Sequence, residues 1–222
     1  MSIRIASGIF RGMTVETPRG EATRPTASRV RAAIMNVLQT RLPDGLVLDL
    51  CAGSGAVGIE MVSRGARGAV FVESSRAAVG CLRRNLDEAA RRAAKQDEAV
   101  EVLDVVADAV ERAVTRMAAA QQRAAGKRTA GASGNREGGS ARRFAVAWLD
   151  PPYAEAVAMV GVLAEPLSCL ADLWVVESDA RDDIAAAAAQ CGWSPLRVRD
   201  YGRTRVSVLT QGTEEAGHGE EE

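Results

Sequence analysis

The chain is predicted to fold as an α/β domain around a mainly parallel sheet, and three observations predict it. Short β-branched or apolar runs alternate with Ala/Arg-rich helical stretches, the pattern of strands joined by crossover helices. A glycine-rich turn stands where one such run passes into a helix, at Val47 to Glu60. The last two strand-like runs are separated only by YGRT, which is too short for a helical crossover, so they form an antiparallel hairpin.

In chain order, RIASGIFRGMTVETP alternates weakly and is broken by Gly8 and Gly12, which predicts a small hairpin. A helix follows, capped by Thr26 or Ser28. Its Val30, Ile34, Val37 and Leu38 recur at i, i+4, i+7 and i+8, one apolar stripe able to dock on a core. Five strands are then expected at Leu46 to Leu50, Ala69 to Glu73, Val100 to Val105, Phe144 to Leu149 and Leu173 to Glu177. Helices fill the gaps at about 56–64, 75–95, 108–122, 155–169 and 180–191. Leu196 to Asp200 and Arg205 to Thr210 form the closing hairpin, completing a sheet of seven strands. Three parts are expected: a basic hairpin-and-helix extension over 1–42, the main domain over 43–210 with a flexible basic insertion at 121–143, and an acidic disordered tail at 211–222.

Composition limits what such a domain can be. Of 222 residues, 47% are hydrophobic and 26% charged, values of a globular chain that exclude collagen, coiled coil and full disorder. No run approaches the roughly 18 to 20 uncharged apolar residues of a membrane span, and MSIRIASG lacks the apolar core of a signal peptide, so a cytoplasmic location is expected. Cys51, Cys81, Cys169 and Cys191 are widely spaced with no C-x-x-C pair, which suggests neither a disulfide framework nor a metal site. The net charge of −1 conceals segregation. Residues 1–42 carry seven arginines against two glutamates, and 121–143 carries six basic groups against Glu137, whereas the stretch from Thr213 holds five glutamates. The only histidine, His218, lies in that acidic stretch, which argues against a His-dependent triad. Arg24, Arg29 and Arg31 cluster at the positive end of the first helix, where cations are unfavourable, and so point to an anionic partner.

Two motifs carry chemistry. In VLDLCAGSGAVGIE, Gly53 and Gly55 allow a tight turn beneath a ligand, and Asp49 at the strand end can accept hydrogen bonds from it. With Glu73 ending the next strand, this pattern by itself fits either a nicotinamide dinucleotide or S-adenosylmethionine. The D-x-x-x-G-x-G spacing favours the second, because a carboxylate facing pyrophosphate would be repelled. The second motif, AWLDPPY at Ala147 to Tyr153, decides between them. Its prolines fix φ and remove donors, so that Asp150 and the Pro151 carbonyl form a pair of acceptors beside Tyr153. Two acceptors aimed at an exocyclic NH₂ draw the nitrogen lone pair out of the ring, and a tyrosine can stack on the base.

With these motifs, RI-x-x-G-x-x-RG at Arg4 to Gly12, RPT-x-x-RVR-x-x-x-x-N at Arg24 to Asn36 and VVESD, the chain resembles the bacterial methyltransferase D family, which methylates N2 of a guanine in small-subunit ribosomal RNA. The resemblance covers about residues 3–210. It implies a Rossmann-like methyltransferase fold, S-adenosyl-L-methionine as cofactor and 16S ribosomal RNA as partner, in a small-subunit particle, with no metal and a monomeric enzyme. Carried over by motif, Asp49, Ala52, Gly53, Ser54 and Gly55 form the cofactor loop. Glu73 meets the ribose, and Asp150, Pro151, Pro152 and Tyr153 meet the target base. Asp108 either meets the adenine amine or caps a helix. Arg4, Arg11, Arg24, Arg29 and Arg31 are the expected RNA contacts. Ser75 departs from the family, which commonly has an acid there, and Glu177 either orients the base or an RNA contact, or is a surface acid. The alternatives are a DNA adenine or cytosine amino-methyltransferase, a non-catalytic RNA-binding module with this fold and, last, a nicotinamide dehydrogenase.

Overall fold

A computed structural model of the chain describes residues 2–18, 28–129 and 143–211. Strands β1 (Ser2–Arg4) and β2 (Thr14–Glu16) pair antiparallel as a small hairpin, and α1 (Ser28–Leu38) follows. The main domain then runs β3 (Leu46–Leu50), α2 (Ala56–Ser63), β4 (Gly68–Glu73), α3 (Arg76–Lys95), β5 (Val102–Ala107) and α4 (Val110–Thr129). It continues through β6 (Phe144–Leu149), α5 (Ala156–Ser168), β7 (Ala171–Asp179), α6 (Ile184–Ala189), β8 (Trp193–Tyr201) and β9 (Thr204–Gln211).

The sheet order is β5-β4-β3-β6-β7-β9-β8. The first five are mutually parallel, and β9 runs antiparallel between β7 and β8, as the short YGRT connection requires. The chain first winds outward from β3 through β4 to β5, then returns to place β6 on the other side of β3. That reversal opens a crevice at the carboxyl ends of β3 and β6, where ligands bind in open α/β sheets.

All five residues of β3 are buried, Asp49 among them, as in a strand covered on both faces. On one face Val47, Phe71, Trp148 and Val175 pack with α1, α2, α3 and the N-terminal hairpin. On the other, Leu48, Leu149, Trp174 and Val176 pack with α4, α5 and α6. The N-terminal extension therefore shares the core of the main domain. Gly8 makes this approach possible: it sits at φ +82, and a Cβ there would lie 1.5 Å from the Ser63 carbonyl oxygen. The amides of Ile9 and Phe10 donate to the Ser63 carbonyl and hydroxyl at 2.9 and 2.8 Å. Val30, Ile34 and Leu38 form the buried stripe of α1.

Several expectations change. Strand boundaries shift: β5 starts two residues later than expected and runs to Ala107, β7 extends two residues further at each end, and β8 starts three residues earlier. Helix α4 runs to Thr129, so 121–129 is helical rather than part of a loop: its Ala- and Arg-rich residues are good helix formers. Residues 130–142 of the expected insertion, and 212–222 of the expected tail, lie outside the described residues, as does Thr26. Helix α6 is shorter than 180–191 because Asp183 caps it, its Oδ1 accepting from the Ala186 amide at 3.0 Å. Among the described residues no helix is long and apolar enough to cross a membrane.

Candidate functional site

The crevice at the switch point is a cavity of about 1150 Å³, larger than the roughly 300–1,000 Å³ of a single small-molecule site. One side is the turn after β3. Cys51 at φ +59, Gly53 at φ +54 and Gly55 at φ +79 bend the chain back before α2 starts at Ala56. Gly55 admits no side chain, since a Cβ would stand 2.4 Å from a Leu82 methyl, whereas the space above Gly53 is open. Ala52, Gly53 and Ser54 line the cavity.

Glu73 spans the loop. One carboxylate oxygen accepts from the Gly53 amide and the other from the Ser75 amide, both at 2.7 Å, and the side chain also lines the cavity. Ser75, where the family commonly has an acid, caps α3: its hydroxyl accepts from the Ala78 amide at 3.3 Å.

Asp49 stands elsewhere than expected. It is buried beneath the loop, its Oδ2 accepting from the Gly58 amide at 2.9 Å, and it is absent from the cavity wall. Burial pushes its carboxyl up to about 8, opposed by the Gly58 hydrogen bond and helped by the nearby Asp150 and Glu73 charges. Burial also pushes the Cys51 thiol up, with Glu73, Asp150, Asp49 and Glu111 adding to it.

Asp108 is a second correction. Its carboxylate accepts from the Ala109 amide at 2.8 Å and pairs with Arg112 and Arg116, each at 2.7 Å, so it faces α4 instead of the cavity. It precedes Ala109 and the first helical residue, and so is not the flanking cap either. Glu111, in the first turn of α4, takes the place on the wall.

The opposite side comes from the end of β6. Asp150, Pro151, Pro152 and Tyr153 all line the cavity, and Tyr153 opens a short 3-10 turn to Glu155. The phenol is held at its far end: it shares a 2.6 Å hydrogen bond with the Thr204 hydroxyl and lies 3.5 Å from the Glu177 carboxylate. Desolvation pushes this phenol up as well. Glu177 is thus a buried acid of the site and not a surface one.

Among the arginines, Arg4 and Arg11 are exposed, Arg29 falls in α1, and Arg24 lies outside the described residues. Arg31 is corrected: it is 4% exposed, its Nε donates to Glu60 at 3.0 Å and its guanidinium to the Arg4 carbonyl at 3.3 Å. Its charge is neutralised inside the protein, where it borders the cavity. Residues that motif reading missed are Thr204, Tyr201 and Arg203 from the β8–β9 hairpin and Ile3, Thr17 and Pro18 from the extension. Only the long-range pairing of distant segments brings them here, and no local pattern announces that.

Comparison with known proteins gives four results of note. A family model described as conserved hypothetical protein 95 matches residues 3–90. The small-subunit ribosomal RNA methyltransferase D of Escherichia coli K12 is 43% identical over 84 residues, 38% of this chain and 42% of that protein, so the chain spans less than half the length of the first curated relatives it matches. YlbH of Bacillus subtilis, named as a candidate rRNA methyltransferase, is 32% identical over 153 residues, 69% of this chain and 68% of that one. Among solved structures, a hypothetical protein of Thermus thermophilus superposes with a TM-score of 0.64 at 30% identity, covering 95% of this chain and 99% of that chain.

Proposed function

The chain belongs to the family of small-subunit ribosomal RNA methyltransferase D, and from that premise we propose that it methylates the exocyclic N2 amine of a guanine in 16S ribosomal RNA, using S-adenosyl-L-methionine. One observation carries the reading: the glycine loop and Asp150 to Tyr153 line a single cavity from its two sides. S-adenosyl-L-methionine supplies, when bound, a methyl group already activated on a cationic sulfonium.

The residues present suit that group. Among the described residues, Glu73, Glu111, Asp150, Glu155 and Glu177 line the cavity with Arg31 and Arg203, an excess of negative charge that favours an ammonium and a sulfonium. Ala52, Gly53 and Ser54 would hold the amino-acid end, in the open space above Gly53. A carboxylate offers about four lone-pair sites, so Glu73 can accept from ribose hydroxyls while keeping its two loop amides. Asp49 supports the loop from below, and the Ala109–Glu111 wall, in place of Asp108, would border the adenine.

Asp150 and the Pro151 carbonyl accept the two hydrogens of the guanine amine and so direct its lone pair out of conjugation. Asp150 is also the acceptor for the proton the amine sheds. Tyr153 stacks on the base, a contact worth about 1–3 kcal/mol, with its ring orientation fixed through Thr204 and Glu177. Arg4 and Arg11 contribute phosphate contacts from the 1–42 arm, and the 43–210 domain carries the chemistry. We take a small-subunit particle as substrate and the monomer as the acting form, in the cytoplasm where subunits assemble.

The test is mass spectrometry of nucleosides from 30S particles of a strain lacking this protein, before and after incubation with purified enzyme and S-adenosyl-L-methionine. N2-methylguanosine is the expected product. No new methyl group in that RNA would move the assignment to DNA or to binding without catalysis.

A further inference from the structure

The outer edge of the large sheet carries a second basic surface, remote from the arm. β8 is the edge strand, and its residues from Ser194 to Asp200 are exposed on both faces. Open edges recruit other strands unless something blunts them. Here Pro195 and a bulge between Pro195 and Arg197 interrupt the edge, which disfavours pairing with a further strand.

The strand offers side chains instead. Its register sets Arg197, Arg199 and Tyr201 opposite Val208, Val206 and Thr204, so the three share one face, spaced about 7 Å apart along the strand. Arg197 and Arg199 form no ion pair among the described residues. Leu196 and Val198, 41% and 37% exposed, alternate with them and point to the opposite face of the strand. Between Trp193 and Arg205 there are four arginines against Asp200, itself bound by Arg205. The row also leads somewhere, because Tyr201, Arg203 and Thr204 line the mouth of the cavity. Arg203 reaches Asp179 at 3.3 Å while leaving 77% of its side chain exposed.

We propose that this face of the β8–β9 hairpin binds the RNA backbone flanking the target nucleotide, Arg197 and Arg199 on phosphates and Tyr201 at the point where the base leaves the strand for the cavity. The inference rests on RNA being the substrate. A planar guanidinium fits phosphate with a two-pronged hydrogen bond and stacks on bases, so two exposed arginines in a row, without an ion pair among the described residues, suit an RNA backbone. A base seated between the glycine loop and Tyr153 must lay its neighbouring phosphates on the rim, and this hairpin is the rim on the β7 side.

The experiment compares the full chain with R197A/R199A for binding to 30S particles and to 16S ribosomal RNA transcript over a range of salt, with S-adenosylhomocysteine affinity measured in parallel. The double variant is expected to bind RNA about tenfold or more weakly, with the salt slope lowered by about 2, while S-adenosylhomocysteine affinity is unchanged. Unchanged RNA affinity and slope, with the wild type binding RNA, would overturn the hairpin assignment alone. A wild-type chain that neither binds nor methylates RNA would overturn the proposed function and this surface with it. A dimer in sedimentation that dissociates in Leu196→Asp would also overturn the proposal, by assigning the edge to a second copy.

Discussion

Asp150 and Asp49 are both acids at the carboxyl ends of neighbouring central strands, yet their surroundings give them different tasks. Asp150 lines the cavity, so Asp150→Ala is expected to abolish methyl transfer, with a loss of at least about a hundredfold, while S-adenosylhomocysteine affinity in calorimetry stays within about threefold. Equal loss of both would place Asp150 in cofactor binding. Asp49 is enclosed, with its carboxyl raised to about 8. An acid whose pKa is higher folded than unfolded binds protons more tightly in the native state. Its contribution to stability is therefore full below about pH 4 and lost as pH rises through about 8. Asp49→Asn, which can still accept from the Gly58 amide, removes this dependence. Melting temperatures taken without ligand from pH 5 to 8.5 are expected to show the variant gaining on the wild type as pH rises; a constant gap would mean that Asp49 is already ionised in the fold. The sequence made both acids visible, because the strand-turn-helix pattern and D-P-P-Y are local. It could not say which one faces the cavity, since that turns on a 2.9 Å bond to Gly58. For the same reason Arg31 read as an anion contact: Glu60, its actual partner, lies 29 residues away on another helix.

Among the elements, α3 does more than cross over from β4 to β5. Its Asn85 is buried, and its amide nitrogen donates to the carbonyls of Glu16 and Ser54, both at 2.9 Å, while its oxygen accepts from the Glu16 amide at 2.9 Å. One side chain thus ties β2 of the extension to the glycine loop. Asn85→Leu leaves those backbone groups without this partner, and losing buried partners costs about 1–3 kcal/mol each, with incomplete additivity. Urea unfolding should show a loss of about 2–4 kcal/mol, and S-adenosylhomocysteine affinity should fall several-fold. Asn85→Ala with affinity unchanged would show that the loop holds its shape alone. The parallel strands were legible to within two residues, because buried parallel strands are nearly continuous apolar runs such as FAVAWL. The last turns of α4 were not: the Gly, Ala and Arg content of 121–129 suits helix and loop alike, and what favours helix is the continuation of a helix already begun at Val110.

For the whole molecule, the question is whether the basic extension is an appendage or part of the folding unit. Ile5, Phe10, Met13 and Val15 join the same buried cluster as Val47, Phe71 and Trp148. Across that junction, Glu60 accepts from Arg31 and from Arg64, both at 3.0 Å, with the Glu60 side chain 1% exposed. Removing one partner of a buried ion pair leaves a charge poorly compensated, at a cost of about 3–5 kcal/mol, even where an apolar substitute for the whole pair would be tolerated. The remaining Arg64 contact puts the expected cost of Arg31→Met at the low end of that range. Because the extension and sheet share one core, the wild type is expected to unfold in a single transition, with amides of Ile5 and Met13 exchanging at the same free energy as those of β3. In Arg31→Met, protection should fall first in the hairpin and leave β3 protected, while the salt slope of RNA binding stays as in the wild type. A lowered slope with hairpin protection intact would instead return Arg31 to the phosphate-binding role its position in the sequence suggested.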